Sequence, residues 1–490
     1  MKSSIFFVIT LIALASWTRI GMANESPPNI VIFLVDDLGS SDVGFAGGNQ
    51  IPTPSIDALA NDGTILDQFY VMHVCSPTRA SLMTGRYPIR YGLQTGVIRP
   101  NWAYGLSLDE RLLSNALHDA GYATAALGKW HLGMHTKDYL PTRRGFDLQY
   151  GNYCGAIDSF TKMREKGYDW HRNDEVCRDE GYTTEQLTTE AVKWIETTDP
   201  KKPLFLYVPF NAVHSPLQAP EKYYEAFREL KGQRRNYAAM LTAVDQSIGK
   251  IRETLDRVRG SENNVYFFST DNGGPAPGTV TRNGILRAGK GTLYEGGVRS
   301  CAFISWKGHI PANQHESEPL HMVDIFPTLT KLAGVKVEPA LPLDGRDFSS
   351  LVLGKRYVWR SELGAKPRPI LINAEAHRGA LRLGDWKLVV QVGDGAELAE
   401  EETSESESTP QRGNRPNRRA NRLKTGEEKF ELYNLASDPS EKANIADSNQ
   451  EKVNELLSHY RQFQAEAKPA LATEPKQTLP TPAVWGEWKN

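Results

Sequence analysis

The sequence predicts an α/β fold, a large, mainly parallel sheet flanked by helices, followed by a smaller C-terminal α+β domain. Up to about residue 335, apolar runs of strand length alternate with helical periodicity, the pattern of a parallel sheet covered by helices. Beyond about residue 355 that alternation gives way to short strand-like pieces and a closing helix. The length of 490 residues and 40% hydrophobic content allow one large core and a second, smaller one.

The first element is the run 29–35, continuously apolar, as a strand buried on both faces must be. Residues 107–121 read as a helix, with Asp109 and Glu110 in its first turn and Gly121 as its stop. Residues 123–128 return as a strand. A helix over 183–197 feeds a strand over 203–209, and a long amphipathic helix over 234–259 precedes a strand over 264–270. The apolar run 298–306 contains Cys301, which reads as a small buried hydrophobe. In the second domain, strand-like pieces cover 369–374, 380–392 and 430–435, and a helix covers 451–465. Residues 394–428 are acidic and Ser-rich, then Arg- and Asn-rich. Such a segment cannot bury enough apolar surface to order itself, so it reads as a solvated insertion and not an RNA contact.

At the N-terminus, Lys2 precedes the apolar run 5–17, and Gly21-Met22-Ala23 supplies small residues at cleavage positions. This is the build of a secretory signal peptide. The run falls short of the roughly 20 residues that span a bilayer, and no later segment is apolar enough. The layout is therefore a leader at 1–23, a catalytic domain at 24–355 and a C-terminal unit at 356–490. No membrane span is expected in the mature protein. Asn24-Glu25-Ser26 is the one N-glycosylation sequon, at the cleavage point. This favours a bacterial periplasmic or secreted protein, or a lysosomal one if the source is eukaryotic. A formal net charge of −2 argues against nucleic acid. Of four cysteines, Cys154 and Cys177 share a polar stretch and can pair, which leaves Cys75 alone.

Two apolar strands end alike, 29–35 in Asp36-Asp37 and 264–270 in Asp271-Asn272. Ligands of open α/β sheets bind beyond the carboxyl ends of the strands. Three carboxylates brought together there repel unless a cation or protons neutralise them. Oxygen donors of this kind suit Ca²⁺ or Mg²⁺ over zinc. Either pair alone is more ordinarily a turn or helix cap. Cys75-Ser76-Pro77-Thr78-Arg79 follows, with Pro77 placed to open a helix and Cys75 near its positive end. A thiolate nucleophile fits poorly beside an ion chosen by carboxylates, because soft sulfur is a poor ligand for it. The pattern makes better sense with oxygen at position 75.

Cys75-x-Pro77-x-Arg79, with Leu82-Met83-Thr84-Gly85-Arg86, resembles the signature of type I, formylglycine-dependent sulfatases, which share the alkaline phosphatase-like fold. The resemblance implies that Cys75 is oxidised to formylglycine by a formylglycine-generating or sulfatase-maturating enzyme, and hydrates to a geminal diol. By the same resemblance one diol oxygen, with Ca²⁺ held beside it, would attack sulfur and displace the alcohol. The second hydroxyl then loses its proton, expels sulfate and restores the aldehyde. Gly128-Lys129-Trp130-His131-Leu132-Gly133 is similar to the family's second signature. By the same resemblance Lys129 holds the sulfate, His131 hydrogen-bonds the diol and takes its proton, and Arg79 fixes the hydrate. His214, in Asn211-Ala212-Val213-His214-Ser215-Pro216, matches the general acid for the leaving oxygen. Lys290, before Gly291-Thr292-Leu293, matches a second sulfate-binding lysine. The implied metal set is Asp36, Asp37, residue 75, Asp271 and Asn272.

Taken singly, these lysines and histidines read as surface charges or core residues; together and in this order they do not. The resemblance runs down to Glu431-Leu432-Tyr433-Asn434-Leu435 and Asp438-Pro439. Tyr91-Gly92-Leu93-Gln94 and residues 140–147 look closest to the arylsulfatase B (N-acetylgalactosamine-4-sulfatase) branch, so the implied substrate is a sulfated carbohydrate. Trp102, Tyr104, Trp170 and His171 are candidates for a sugar-facing rim, with buried packing the ordinary alternative. Rival readings are a phosphodiesterase or phosphonate monoester hydrolase of the same fold, an inactive binder of sulfated glycans, and a plain exported Cys hydrolase.

Overall fold

The computed structural model describes residues 26–338, 341–354, 367–393, 423–472 and 479–487. The expected leader, the boundary at 355/356 and residues 394–422 of the expected insertion lie outside the described residues. Asn264–Thr270, Asn29–Val35, Leu204–Pro209, Ala123–Leu127 and Leu148–Gly151 lie side by side and parallel at the centre of a ten-stranded sheet. Antiparallel strands extend it on both sides, Phe303–Trp306 and Gly63–Leu66 beyond one end and His171–Arg172 and Glu175–Val176 beyond the other. The large sheet is thus mixed, with the predicted run of parallel strands at its centre and one further parallel pair, Gln314–Glu316 on Gly63–Leu66, at its edge.

Every residue of Asn29–Val35 and Asn264–Thr270 is buried. The two-residue period of a strand divides the first between two cores. Ile30, Ile32 and Leu34 pack with the helices Cys75–Thr84, Leu113–Asp119 and Ile325–Leu332. Val31, Phe33 and Val35 pack with Pro54–Asn61, Thr183–Thr197 and Gly232–Arg259. Full burial of each large apolar side chain contributes about 1.5–3 kcal/mol. At the start of the strands, Asn29 Nδ2 donates to Asn264 Oδ1 at 2.9 Å, and Asn29 Oδ1 accepts from the Leu204 amide at 3.0 Å.

A second sheet of four antiparallel strands follows, Pro369–Ala374, Arg378–Leu383, Trp386–Val392 and Glu428–Asn434. The helix Gln450–Ala465 lays Val453, Leu456 and Tyr460 into the same core as Leu371, Leu381 and Leu388. Among the described residues no helix is long and apolar enough to cross a membrane.

Two local expectations are corrected, and two readings left open by the sequence are decided. The helix expected over 107–121 forms only at Leu113–Asp119. The Arg144 guanidinium donates to the carbonyls of Leu106, Ser107 and Glu110 at 3.1–3.2 Å, and Arg86 pairs with the Glu110 carboxylate at 3.1 Å. These tertiary bonds hold 106–110 in a non-helical path. The run 380–392 is two strands, because Gly384 takes φ 58° and turns the chain back on itself. Cys154 and Cys177 are free thiols, and Cys154 Sγ packs 3.8 Å from Met134 Sδ. Trp170 and His171 are buried packing residues, not a rim, whereas Trp102 and Tyr104 are half-buried. Cys301 is buried, as expected.

Candidate active site

The pairing of Val35 with Thr270 sets Asp36 beside Asp271 and Asp37 beside Asn272, at the carboxyl ends of two central strands. The Asp37 amide donates to Asp271 Oδ1 at 3.3 Å, and Asn272 Nδ2 donates to Asp37 Oδ1 at 2.7 Å. Asp37 has a left-handed backbone, φ 60°, a conformation Asp tolerates better than most residues. Cys75 is the first residue of the helix Cys75–Thr84 and lies between the strand ends, its Sγ 3.5 Å from Asp36 Oδ1 and 3.3 Å from Asn272 Oδ1. Asp36, Asp37, Cys75 and Asp271 are all buried, and each offers a ligand atom within 4.8 Å of the others.

One helical turn after Cys75, Arg79 faces the same centre. Its Nε and Nη2 donate to Asp271 Oδ2 at 3.1 and 2.8 Å, and its Nη1 donates to the Lys129 carbonyl at 3.0 Å. Lys129 follows Ala123–Leu127, and its Nζ donates to Asp36 Oδ2 at 2.5 Å. Lys290 Nζ lies 2.9 and 3.1 Å from the two oxygens of Asp37. The His214 segment is stitched to the strand end by backbone bonds from Asp36 N to Ala212 O and from Val213 N to Asp36 O. His214 Nε2 thereby lies 3.6 Å from Asp37 Oδ2, with Nδ1 2.6 Å from the Ser215 carbonyl. His131 also takes a left-handed backbone, φ 57°, and its Nε2 lies 3.0 Å from the Ile98 carbonyl. A Cβ on Gly155 would fall 2.4 Å from the His131 ring, so only glycine fits there.

Burial pushes the Cys75 thiol well above its ordinary range, and the Asp271 and Asp36 charges add to this, against Lys129 and Lys290. A thiol held protonated is a poor nucleophile, which disfavours the plain cysteine hydrolase. Burial and the Asp271 charge push the Asp36 carboxyl up to about 6. Burial also raises Asp271, but Arg79, Lys129 and Lys290 outweigh it and hold that carboxyl well below the usual range. Burial disfavours the Lys129 cation, and the Asp36 carboxylate more than restores it. Three carboxylates and the Asn272 amide oxygen form an oxygen donor set suited to a hard divalent cation. The sulfur of Cys75 is the one soft atom in it.

The family model Sulfatase matches residues 28–335. The chain belongs to the sulfatase family. This sulfatase is 35% identical to mouse Arylsulfatase J over 494 aligned positions, covering 96% of this chain and 81% of that protein. It is 34% identical to mouse N-acetylgalactosamine-6-sulfatase, over 70% of this chain and 69% of the relative. Among solved structures it is similar to Ps i-CgsB in complex with k-i-k-neocarrahexaose. The TM-score is 0.77 at 30% identity, covering 93% of this chain and 96% of the other. The sulfatase is accordingly a sulfuric ester hydrolase by family, on the large mixed sheet with a smaller C-terminal sheet.

Asp36, Asp37, Cys75, Arg79, Lys129, His214, Asp271, Asn272 and Lys290 come together at the carboxyl ends of the two central strands, whereas the contacts of His131 run to Ile98 and Gly155, and Trp170 and His171 stand apart as packing residues. Others in this sulfatase's site were missed. Tyr207 is wholly buried and lies beside Arg79, and burial pushes its phenol up to about 12. Inside an apolar strand run it gave no separate signal. Gly155 was one glycine among many. His73, Asn373, Glu375 and Arg378 form a cluster behind Cys75, with partners about 300 positions apart (His73 to Asn373 spans 300).

Proposed function

We propose that this sulfatase hydrolyses sulfate esters of a carbohydrate, with the hydrated aldehyde formed from Cys75 as nucleophile. The observation that carries this reading is the convergence of Arg79, Lys129 and Lys290 with three buried carboxylates around Cys75. A sulfate ester brings one negative charge and develops more on its leaving oxygen, so preorganised cations and a proton donor are what its cleavage requires. Asp36, Asp37, Asp271, Asn272 and an oxygen at position 75 would hold one Ca²⁺, which when bound neutralises the carboxylates and polarises oxygen.

In this reading Lys129 and Lys290 turn from the carboxylates to the sulfate oxygens. Arg79, fixed on Asp271 by two donors, orients the nucleophile. His214 protonates the leaving oxygen from Nε2; its Nδ1–H donates to Ser215 O, so the exchangeable proton sits on Nε2. His131 takes the proton from the nucleophile's second hydroxyl.

Two relatives support a substrate class, one an N-acetylgalactosamine-6-sulfatase and one a sulfatase-fold structure holding neocarrahexaose. We propose a galactose- or N-acetylgalactosamine-type sulfate, the 4-position being expected from the arylsulfatase B resemblance. The proposal includes export to the periplasm or medium, a leader at 1–23, a catalytic domain at 24–355 and a C-terminal unit at 356–490. It also includes maturation by a formylglycine-generating or sulfatase-maturating enzyme. The test is the full chain co-expressed with such an enzyme, mass spectrometry of the residue-75 peptide, and turnover of nitrophenyl sulfate, a nitrophenyl phosphodiester and 4- and 6-sulfated sugars. Sulfate turnover with Cys75 converted, abolished by chelation, is expected. Full conversion with preference for the phosphodiester would overturn the reading.

A further inference from the structure

The C-terminal sheet reaches the two segments that carry Cys75 and Lys290. His73, two residues before Cys75, is 1% exposed. Three side chains from the hairpin of Pro369–Ala374 and Arg378–Leu383 surround its ring. Asn373 Nδ2 lies 3.4 Å from Nδ1, while Arg378 Nη2 and Glu375 Oε1 lie 3.3 and 3.5 Å from Nε2. The register of the hairpin shifts between Leu371 and Asn373, an irregularity of the kind that re-aims side chains. Arg378 then spans both segments. Its Nη1 donates to the carbonyl of Gly291 at 3.1 Å, next to Lys290, and its Nε donates to Glu375 Oε2 at 3.0 Å. The loop is closed by the Gly291 amide, which donates to His73 O at 2.9 Å.

Resting on the sulfatase reading above, we propose that Arg378 is a positioning residue for sulfate ester cleavage. It touches no reacting atom. Through His73 it fixes the entry to the helix that presents Cys75 and Arg79, and through Gly291 it fixes the backbone that presents Lys290. One guanidinium thereby sets the spacing between the nucleophile and a sulfate-binding cation. The C-terminal sheet is part of the catalytic apparatus, although its strands carry no group of the reaction. A misplacement of about 1 Å in such a pair costs about a hundredfold in rate.

The test uses the full, matured chain. Arg378→Ala is expected to lower kcat for nitrophenyl sulfate about 10- to 100-fold, with Cys75 conversion and thermal midpoint close to the parent's. Arg378→Lys, which keeps one donor, should fall between the two. Arg461→Ala removes an exposed pair, at 2.8 Å, between the helix Gln450–Ala465 and Glu428 of the same sheet, and should leave kcat unchanged. A kcat for Arg378→Ala within about twofold of the parent, or a loss matching unconverted Cys75, overturns the proposal. If that variant does not fold, Arg378→Lys carries the same comparison, and a parental kcat there overturns it. If the parent itself cleaves no sulfate ester, the functional reading fails separately. Hydrogen exchange then decides: faster exchange at 73–79 and 290–297 in Arg378→Ala supports the coupling, and unchanged exchange overturns it.

Discussion

Two of this sulfatase's buried charge clusters differ in what surrounds them. At the strand ends, Asp36, Asp37 and Asp271 meet Lys129, Lys290 and Arg79. Between the large sheet and the C-terminal one, Lys387 Nζ lies 2.9 Å from Glu295 and 2.8 Å from Glu441. Tyr70 donates to the other Glu295 oxygen at 2.8 Å, and the Glu295 amide donates to Glu441 at 2.7 Å. Each cluster holds one carboxyl raised by burial and one lowered by neighbouring cations. Perturbed acidity therefore does not tell them apart. Geometry does. The Lys387 and Glu295 side chains are 0% exposed and closed on their partners, whereas Asp37, His214 and Lys290 keep 4–8% exposure along one side. At the site three carboxylates and the Cys75 thiol also converge on each other, four ligand atoms within 4.8 Å, an arrangement able to hold a metal ion. One cluster is a rivet and the other a receptacle.

Substitutions should separate the two. The largest effect is expected for Asp271→Asn, which should lower sulfate turnover about a thousandfold or more and lose the thermal shift that Ca²⁺ gives the parent. Undiminished turnover in that variant would remove the receptacle. Lys387→Met should show the reverse, a loss of about 3–5 kcal/mol of stability because two buried carboxylates lose their cation. Its kcat in the folded fraction should stay within about threefold, and a collapse of kcat without loss of stability would erase the distinction. His214→Asn should cost about 10²–10⁴-fold on a sugar sulfate, whose alkoxide needs a proton, and far less on nitrophenyl sulfate. Equal losses on both would remove the general acid.

The smallest effect is expected at His321, beside Tyr87 at the seam of the two sheets, with ring centroids 5.1 Å apart. Burial, with the Arg368 charge and against Asp324, lowers its imidazole from 6.5 to about 3. A lowered pKa means the unfolded chain takes up the proton first. This stability is complete above pH 6.5 and drains away as pH falls from 6.5 towards 3, by at most about 1.4 kcal/mol per unit. His321→Gln should flatten the decline of the thermal midpoint between pH 7 and 4.5, and an unchanged slope would exclude His321 as its source.

Much of the site was legible because strand ends write it into the sequence. An unbroken apolar run followed by Asp36-Asp37, and another followed by Asp271-Asn272, needs no partner to be seen. Lys129 and His214 follow strand ends in the same way. The helix over 107–121 was misread because Arg144, more than thirty positions away in sequence, occupies the carbonyls that a helix would have used. The rivet and the Arg378 contacts were not legible at all. Arg378 and Lys387 sit within alternating strands where a charged residue ordinarily faces water, and their partners are fixed only by how the two sheets dock.

The central strands are apolar on both sides, so their oily side chains fit almost as well after sliding by one step; the period-two pattern that usually forbids such sliding is silent here. What remains are the polar residues at the two tips, the Asn29–Asn264 amide clasp at one and the acids with Arg79 at the other. The carboxylates at the strand ends therefore double as alignment marks. A chain that lost them would forfeit its chemistry and, with it, half of the instructions for lining up the middle of its own sheet.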